Sequence, residues 1–242
     1  MEVIKTINLT KKYKDLIAVD SLSLEIYEGE LFSLLGINGA GKTTLIRMLS
    51  TLTRPTCGEL YVLGRSALSE AEGIKPYIGV SPQETAVAPG LTVLENLEFM
   101  CGVYGFSGEK TKEKTRELSE KLGLFDVLSR RAGKLSGGYR RRLSIAMALI
   151  GEPKILFLDE PTLGLDVIAR AELWEVIRSL KKSSTVILTT HYMEEAEALS
   201  DRVGIMKNGH ILAVGTPSEL VSMTGGQRLE DAFISIVKGE GV

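Results

Sequence analysis

The chain has 242 residues, of which 44% are hydrophobic and 25% charged, and its formal net charge is −2 at pH 7. This composition is typical of a globular protein with a substantial core and excludes wholesale disorder. The nearly balanced charge provides no overall attraction to nucleic acid or anionic lipid, so we expect no nucleic-acid partner. The two cysteines lack the spacing of a zinc site or a disulfide framework, and no apolar run approaches the ~20 residues that span a bilayer.

The first half of the chain opens with predicted strands. Partial alternation of apolar and polar residues predicts strands at 3–9 and 18–26, joined by a polar turn at 10–15. Residues 31–35 form a continuous apolar run, which is typical of a strand buried on both faces, and helical spacing follows at 43–52. From about 91 to 131 the pattern is again helical, and we interpret its charged stretch at 109–121 as a solvated helix face.

The second half alternates helices with buried strands. The pattern predicts a helix at 140–150, strands at 155–158 and 185–190 with a helix at 167–182 between them, a hairpin at 203–206 and 211–214, and a helical tail broken at Gly225-Gly226. Such alternation predicts an α/β fold with a mainly parallel sheet. We expect a core at 1–89 and 135–216 that includes an N-terminal antiparallel β subdomain, a helical subdomain at 90–134, and a short helical tail at 217–242.

A glycine-rich segment lies between the buried strand at 31–35 and the helix that follows. It reads Gly36, Ile37, Asn38, Gly39, Ala40, Gly41, Lys42, Thr43, Thr44. Glycines at these positions let several backbone N–H groups converge on phosphate oxygens, and the helix N-terminus adds a favourable dipole. Lys42 would reach the β and γ phosphates, and the Thr43 hydroxyl would coordinate Mg²⁺. The segment therefore predicts binding of a nucleoside triphosphate with magnesium.

Two adjacent carboxylates, Asp159 and Glu160, end the predicted strand that begins at Ile155. Ligands of open parallel sheets bind at the carboxyl ends of the strands. We expect Asp159 to hold magnesium through water, and Glu160 to orient and deprotonate the attacking water.

A third segment, Leu135-Ser136-Gly137-Gly138, precedes a predicted helix in the same way as the first loop does. Two interpretations remain open from the residues alone. Ser136 and the glycines after it could form a second anion-binding site at a helix N-terminus, or Ser136 could be a plain N-cap.

Together the three motifs resemble the ATP-binding subunit of an ABC transporter, with Walker A at 36–44, Walker B at 155–160 and the signature motif at 135–138. The resemblance covers nearly the whole chain and implies a P-loop NTPase core, with the helical subdomain inserted between the Q-loop and the signature. It also implies four further site residues. Gln83 would contact magnesium, Asp166 would lie in the D-loop near the nucleotide, His191 would be the switch histidine, and Tyr13 would stack on adenine.

The same resemblance implies a mechanism and partners. In this family two subunits sandwich two ATP molecules head to tail, so a second copy or a paralogous ATPase subunit is expected. Each ATP would lie on one subunit's Walker loop and be closed over by the partner's signature segment, while His191 would hydrogen-bond the γ-phosphate. Gln83 would sense magnesium and the helical subdomain, and the helical subdomain would contact an integral membrane permease at the cytoplasmic face of the cell membrane.

One residue departs from the family pattern. Tyr139 stands where the signature usually continues with glutamine, and we expect the site to survive because the phosphate-facing atoms belong to Ser136 and Gly138. The arginines at 140–142 and the segment Leu229-Glu-Asp-Ala-Phe233 resemble the drug, sodium and polysaccharide efflux branch, which implies export. We interpret the arginines as solvated surface with contacts to the helical subdomain.

Two alternatives to a transporter subunit are weighed. A soluble ABC-type ATPase without a membrane partner is not excluded by length if it is of the iron–sulfur assembly type, whereas translation and repair types usually carry two cassettes and this chain has one Walker A. A nucleotide-binding regulator without turnover is opposed by the presence of both Glu160 and His191.

Overall fold

The computed structural model describes residues 1–239, so the last three residues of the predicted tail, 240–242, lie outside the described residues. The chain divides into two compact units. The first comprises Met1–Pro76 with Lys181–Val242, and the second comprises Tyr77–Leu180. The domain boundaries expected from the sequence stay a prediction.

Strands and helices alternate along the described chain. The strands are β1 (Glu2–Tyr13), β2 (Leu16–Tyr27), β3 (Leu31–Leu35), β4 (Cys57–Val62), β5 (Arg65–Ser66), β6 (Ile78–Ser81), β7 (Ile155–Asp159), β8 (Thr185–Thr190), β9 (Arg202–Lys207) and β10 (His210–Gly215). The α-helices are α1 (Lys42–Leu49), α2 (Ala71–Ile74), α3 (Val93–Val103), α4 (Gly108–Lys121), α5 (Gly137–Leu149), α6 (Val167–Leu180), α7 (Met193–Leu199), α8 (Pro217–Thr224) and α9 (Leu229–Lys238). Within residues 1–239, no helix is both long and apolar enough to cross a lipid bilayer.

The predicted elements agree with the structure where the apolar pattern is strong. The bounds of β3 and β8 are those expected, and all residues of both strands are buried. The polar turn predicted at 10–15 is wrong for most of its length, because β1 continues through Tyr13 while paired with β2, and the turn is confined to Lys14-Asp15. The pattern also missed β4, β6 and α7, which have only six, four and seven residues.

The first unit contains an antiparallel sheet and a parallel group of strands. The antiparallel sheet has the order β2-β1-β4-β5, which confirms the expected N-terminal β subdomain. In the parallel group β3 lies between β8 and β9, and β10 returns antiparallel to β9 as the second arm of the predicted hairpin. In the second unit β6 and β7 pair in parallel, and α3 and α4 follow β6 as the helical insertion.

Helices α8 and α9 belong to the core of the first unit. Gly225 ends α8 with φ +69°, a backbone angle that favours glycine, as the predicted break requires. The buried face of α9 has helical spacing and contributes Leu229, Ala232, Phe233 and Ile236. Leu229, Phe233 and Ile236 share one apolar cluster with residues of β3, β9, α7 and α8, so the tail is part of the fold.

We therefore expect Phe233→Ala to lower the free energy of unfolding by about 3–5 kcal/mol, because Phe233 is 5% exposed and its loss leaves a cavity. Ile234→Ala is the control, since its side chain is 43% exposed on the same helix, and it should change stability by less than about 1 kcal/mol. Urea unfolding of both variants measures the difference. Equal stability losses would show that α9 is not packed as described.

Candidate functional site

The glycine-rich loop connects β3 directly to α1 in the first unit. The N–H of Gly36 donates to Thr190 O at 3.3 Å, so the loop starts as a continuation of the β3–β8 pairing. A Cβ on Gly36 would lie 2.5 Å from Met206 O, which is closer than any side chain tolerates. Gly41 is the N-cap of α1 with φ +104°, and a Cβ there would lie 2.3 Å from Ala18 O. The loop is therefore packed so closely that only glycine fits at both positions.

A β-turn braces this loop from the other side. Gly209, in the turn between β9 and β10, donates its N–H to Ala40 O at 2.9 Å, and its own carbonyl accepts the N–H of Asp20 at 3.0 Å. The hairpin turn is thus bonded both to the glycine-rich loop and to β2. The sequence predicted the hairpin but gave no signal of this contact, which depends on how β9 and β10 are placed beside β3.

Lys42, the first residue of α1, lies over the loop. Its side chain is buried, and its Nζ donates to Gly36 O at 2.7 Å and to Ile37 O at 3.3 Å. The ammonium group is therefore held above backbone carbonyls of the loop, next to the N-terminus of the helix. The half-buried Thr43 and Thr44 follow in the first turn, while Asn38 and Gly39 are exposed at the tip.

This set of groups fits a triphosphate with magnesium. A cation, a helix N-terminus and a loop shaped by glycine provide several donors for phosphate oxygens. A hydroxyl such as that of Thr43 is an oxygen ligand of the kind that Mg²⁺ prefers.

Two more candidate residues lie in the first unit. Leu35 pairs with Thr190, so Gly36 and His191 leave the ends of adjacent parallel strands, and the structure brings the loop and His191 to one sheet edge. His191 is half-buried and packs against Tyr192, with ring centroids 4.1 Å apart. Tyr13 ends β1 with 42% exposure, and the Lys11 ammonium lies 5.0 Å from its ring centroid.

Asp159 and Glu160 lie together in the second unit, at the carboxyl end of β7. Both side chains are buried, with 5% and 6% exposure. Glu160 has φ +49°, a left-handed backbone angle that is strained for a residue with a side chain. Such strain is concentrated at functional sites, where a precise side-chain direction outweighs local stability. The geometry therefore favours a functional role for Glu160.

Ser136 is the N-cap of α5, and its Oγ accepts the N–H of Tyr139 at 3.4 Å. The N-cap interpretation is thereby confirmed, and anion binding stays a prediction. Ser136, Gly137 and Tyr139 are exposed and Gly138 is half-buried, so the N-terminus of α5 is accessible to a ligand. Asp166 has a similar local role at α6, where its Oδ1 accepts the N–H of Ala169 at 2.9 Å.

Gln83 follows β6, and its side chain is exposed. The structure links its backbone to the signature helix through Arg141, which donates to Pro82 O at 2.6 Å and to Gln83 O at 2.7 Å. The expectation that the arginines at 140–142 form solvated surface is wrong for Arg141, which is 5% exposed. The helical spacing contains a signal of this burial, because Arg141 lies three and seven residues before the buried Ser144 and Ala148 on the same helix.

Comparison with known proteins gives the chain's relatives. The family model described as "ABC transporter" matches residues 19–163. The daunorubicin/doxorubicin resistance ATP-binding protein DrrA of Streptomyces peucetius is 42% identical over 234 residues, which are 95% of this chain and 71% of DrrA. The human phospholipid-transporting ATPase ABCA3 is also 42% identical, over 203 residues that are 84% of this chain and 12% of ABCA3.

Among solved structures, the ATP-binding cassette MJ0796 has been captured as a dimer in a post-hydrolysis state bound to ADP and Pi. It matches with a TM-score of 0.81 and 29% identity, over 88% of this chain and 98% of that chain.

The packing of the loop predicts the effect of one methyl group. Gly41→Ala should abolish nucleotide binding, because the new Cβ meets Ala18 O and forces the start of α1 to move. Gly64→Ala is the matched control, since Gly64 also has positive φ (+76°) but open space around its Cβ position. Titration with a fluorescent ATP analogue, together with thermal melting, should show binding lost only in the first variant. Normal binding by Gly41→Ala would contradict the described packing.

Proposed function

The chain belongs to the ABC transporter ATP-binding family and is an ATPase, and from this premise we propose that it is the ATP-hydrolysing subunit of an exporter whose membrane-spanning part is a separate chain. The observation that carries the proposal is the glycine-rich loop with the buried Lys42 held over it at the N-terminus of α1. This arrangement provides the fixed positive charge and backbone donors that a triphosphate requires.

We assign the hydrolytic step to Glu160. Its carboxylate accepts a proton from the water that attacks the γ-phosphorus, and the bond from the γ-phosphorus to the bridging oxygen breaks to release ADP and phosphate. The buried carboxylate and strained backbone of Glu160 support this assignment, because such strain is concentrated at functional sites. Lys42 stabilises the charge that develops on the phosphate, and His191 holds the γ-phosphate.

Magnesium is the cofactor in this proposal, with Thr43, Asp159 and Gln83 as the residues that hold it directly or through water. When bound, the ion neutralises charge on the β- and γ-phosphate oxygens. The Thr43 hydroxyl, the Asp159 carboxylate and the Gln83 amide all offer oxygen atoms, which suits a hard cation. Tyr13 supports the adenine, since its exposed ring is suited to stacking.

The catalytic form in this proposal is a head-to-tail dimer with a second copy or a paralogue. The exposed N-terminus of α5, with Ser136, Gly137 and Gly138, supports it because accessible N–H groups there could bind a phosphate held by another subunit. MJ0796, which has the same fold, forms a dimer. Asp166 caps α6 within its own chain and contributes to the nucleotide contacts of the dimer.

Export through a permease at the cytoplasmic face of the membrane is supported by the naming of DrrA as a drug-resistance protein. The names of the relatives do not agree on one class of cargo, because ABCA3 is named for phospholipid transport and is also 42% identical, over 203 residues. Recovery of the chain with a polytopic membrane protein, whose substrate stimulates ATP hydrolysis, tests this part of the proposal. A chain that is recovered without such a protein would instead be a soluble ABC-type ATPase.

Glu160→Gln should reduce ATP turnover at least about a thousandfold while ATP binding persists and traps a dimer, because an amide cannot accept the proton. Glu152→Gln is the control, since Glu152 is an exposed glutamate with a similar backbone angle (φ +51°), and its turnover should stay normal. Steady-state hydrolysis and size-exclusion chromatography with ATP measure both effects. Normal turnover by Glu160→Gln would refute the assignment of the base.

Ser136→Arg should abolish hydrolysis without weakening ATP binding to the isolated subunit, because the bulky cation blocks the surface offered to a second subunit. Ser107→Arg changes another N-cap serine, at the start of α4, and should leave hydrolysis intact. Binding constants and turnover are compared for both variants. Parallel loss of binding and turnover in Ser136→Arg would contradict the proposed role in the dimer.

A further inference from the structure

Strand β6 and helix α5 pack against each other along a seam of four residues. Gly79 and Ser81 belong to β6, and Ser144 and Ala148 belong to α5. A Cβ on Gly79 would lie 2.4 Å from Ala148 O, so strand and helix approach as closely as backbone allows. One step along, the buried hydroxyls of Ser81 and Ser144 are hydrogen-bonded at 2.8 Å. Gly79 and Ser81 are alternate residues of β6, so both face α5 on the same side of the strand. Gln83 lies just beyond the end of this strand.

Arg141 continues the seam beyond the last paired residue of β6. The ladder between β6 and β7 ends at the pair Ser81 and Leu158. The next two carbonyls, of Pro82 and Gln83, each accept a hydrogen bond from one terminal nitrogen of the Arg141 guanidinium, at 2.6 and 2.7 Å. The guanidinium thus gives these two residues the kind of anchoring that a neighbouring strand provides elsewhere.

Burying the charge of an arginine costs free energy that an apolar side chain would not cost. Burial removes water from its charge, and this loss is offset where its donors find acceptors, as the carbonyls of Pro82 and Gln83 provide. The fork of Arg141 fits two consecutive carbonyls, which a single ammonium group could not bond with the same fixed geometry. The bonds hold the backbone of Gln83 while leaving its side chain exposed.

We propose that Arg141 is a positioning residue for the ATPase reaction, which holds the magnesium-sensing Gln83 in fixed register with the helix that presents Ser136. The proposal deepens the proposed function and rests on it. Arg141 lies five residues after Ser136 on the same helical segment, so its bonds join the two features rigidly within the second unit. A displacement of the Gln83 segment is therefore transmitted to the N-terminus of α5, and the reverse.

The test is a double-mutant cycle with Gln83→Ala on the full-length chain. Arg141→Met should lower turnover and raise the magnesium concentration for half-maximal hydrolysis, each by roughly tenfold, as for residues that orient a metal-contacting group. In the Gln83→Ala background the same change should have less than about a twofold effect, because the group that Arg141 positions is gone. Arg141→Lys should recover part of the loss, since its ammonium group still donates to one of the two carbonyls but lacks the fork that fixes both.

Arg142→Met is the matched control. Arg142 is the next residue of α5 and also makes two side-chain bonds, but these go to Leu122 O and to Glu172 instead of the carbonyls of Pro82 and Gln83. Its effects on turnover should be additive with Gln83→Ala, and its magnesium dependence should be that of the unmodified chain. Melting temperatures of all variants show which changes come from lost stability.

Additive effects of Arg141→Met and Gln83→Ala, or an unchanged magnesium dependence in a folded Arg141→Met variant, would overturn the proposal. If Arg141→Met does not fold, the cycle is repeated with Arg141→Lys, and the same two outcomes decide. Failure of the proposed function is distinguishable, because the unmodified chain would then show no magnesium-dependent ATP hydrolysis at all.

Discussion

The glycine-rich loop has room for backbone atoms but for no side chain at the positions where it packs against β2 and β9. A side chain at Gly36 or Gly41 would collide with the carbonyls of Met206 or Ala18, and the turn at Gly209 bonds the loop to β2 from the other side. Backbone amides can be held in a fixed concave arrangement only when their surroundings are this tight. The position of Lys42 depends on it, because the lysine bonds to carbonyls of the loop itself.

In the first unit, candidate functional residues lie at the ends of the parallel strands. Because β3 and β8 run in parallel and in register, the loop and His191 leave the sheet from paired residues. The second unit uses the same rule at the end of β7, where buried carboxylates follow an apolar strand and Glu160 accepts a strained backbone angle. Strand ends are suited to this work, since the rigid sheet holds the residues that leave it in fixed positions.

The second unit adds a mechanical connection that no motif describes. Its seam of Gly79, Ser81, Ser144 and Ala148 combines close backbone approach with one buried hydrogen bond, and Arg141 extends it to the main chain of Gln83. The cap formed by Ser136 begins the same helix. Ser136 and the backbone of Gln83 are distant in the sequence, yet both are fixed to helix α5.

The sequence by itself determined the elements with the strongest apolar runs, and it predicted the chemistry of the motifs. Residues 31–35 and 185–190 could be predicted as strands because strands buried on both faces have continuous apolar side chains. The glycine-rich loop predicted phosphate binding because few residue types can cradle phosphate. Short elements such as β4, β6 and α7 escaped, because they lack the continuous apolar run of β3 and β8 and have too few residues to show a clear period.

Only the tertiary structure decided how the motifs are supported. Two supports depend on contacts between segments far apart in the chain, because Gly209 bonds to the glycine-rich loop and Arg141 is buried against the carbonyls of Pro82 and Gln83. The strained backbone of Glu160 is likewise visible only in the structure. A sequence read along one dimension shows a turn glycine, a run of three arginines and a pair of acids. Their roles depend on which backbone groups they contact, and the packing of the chain determines those contacts.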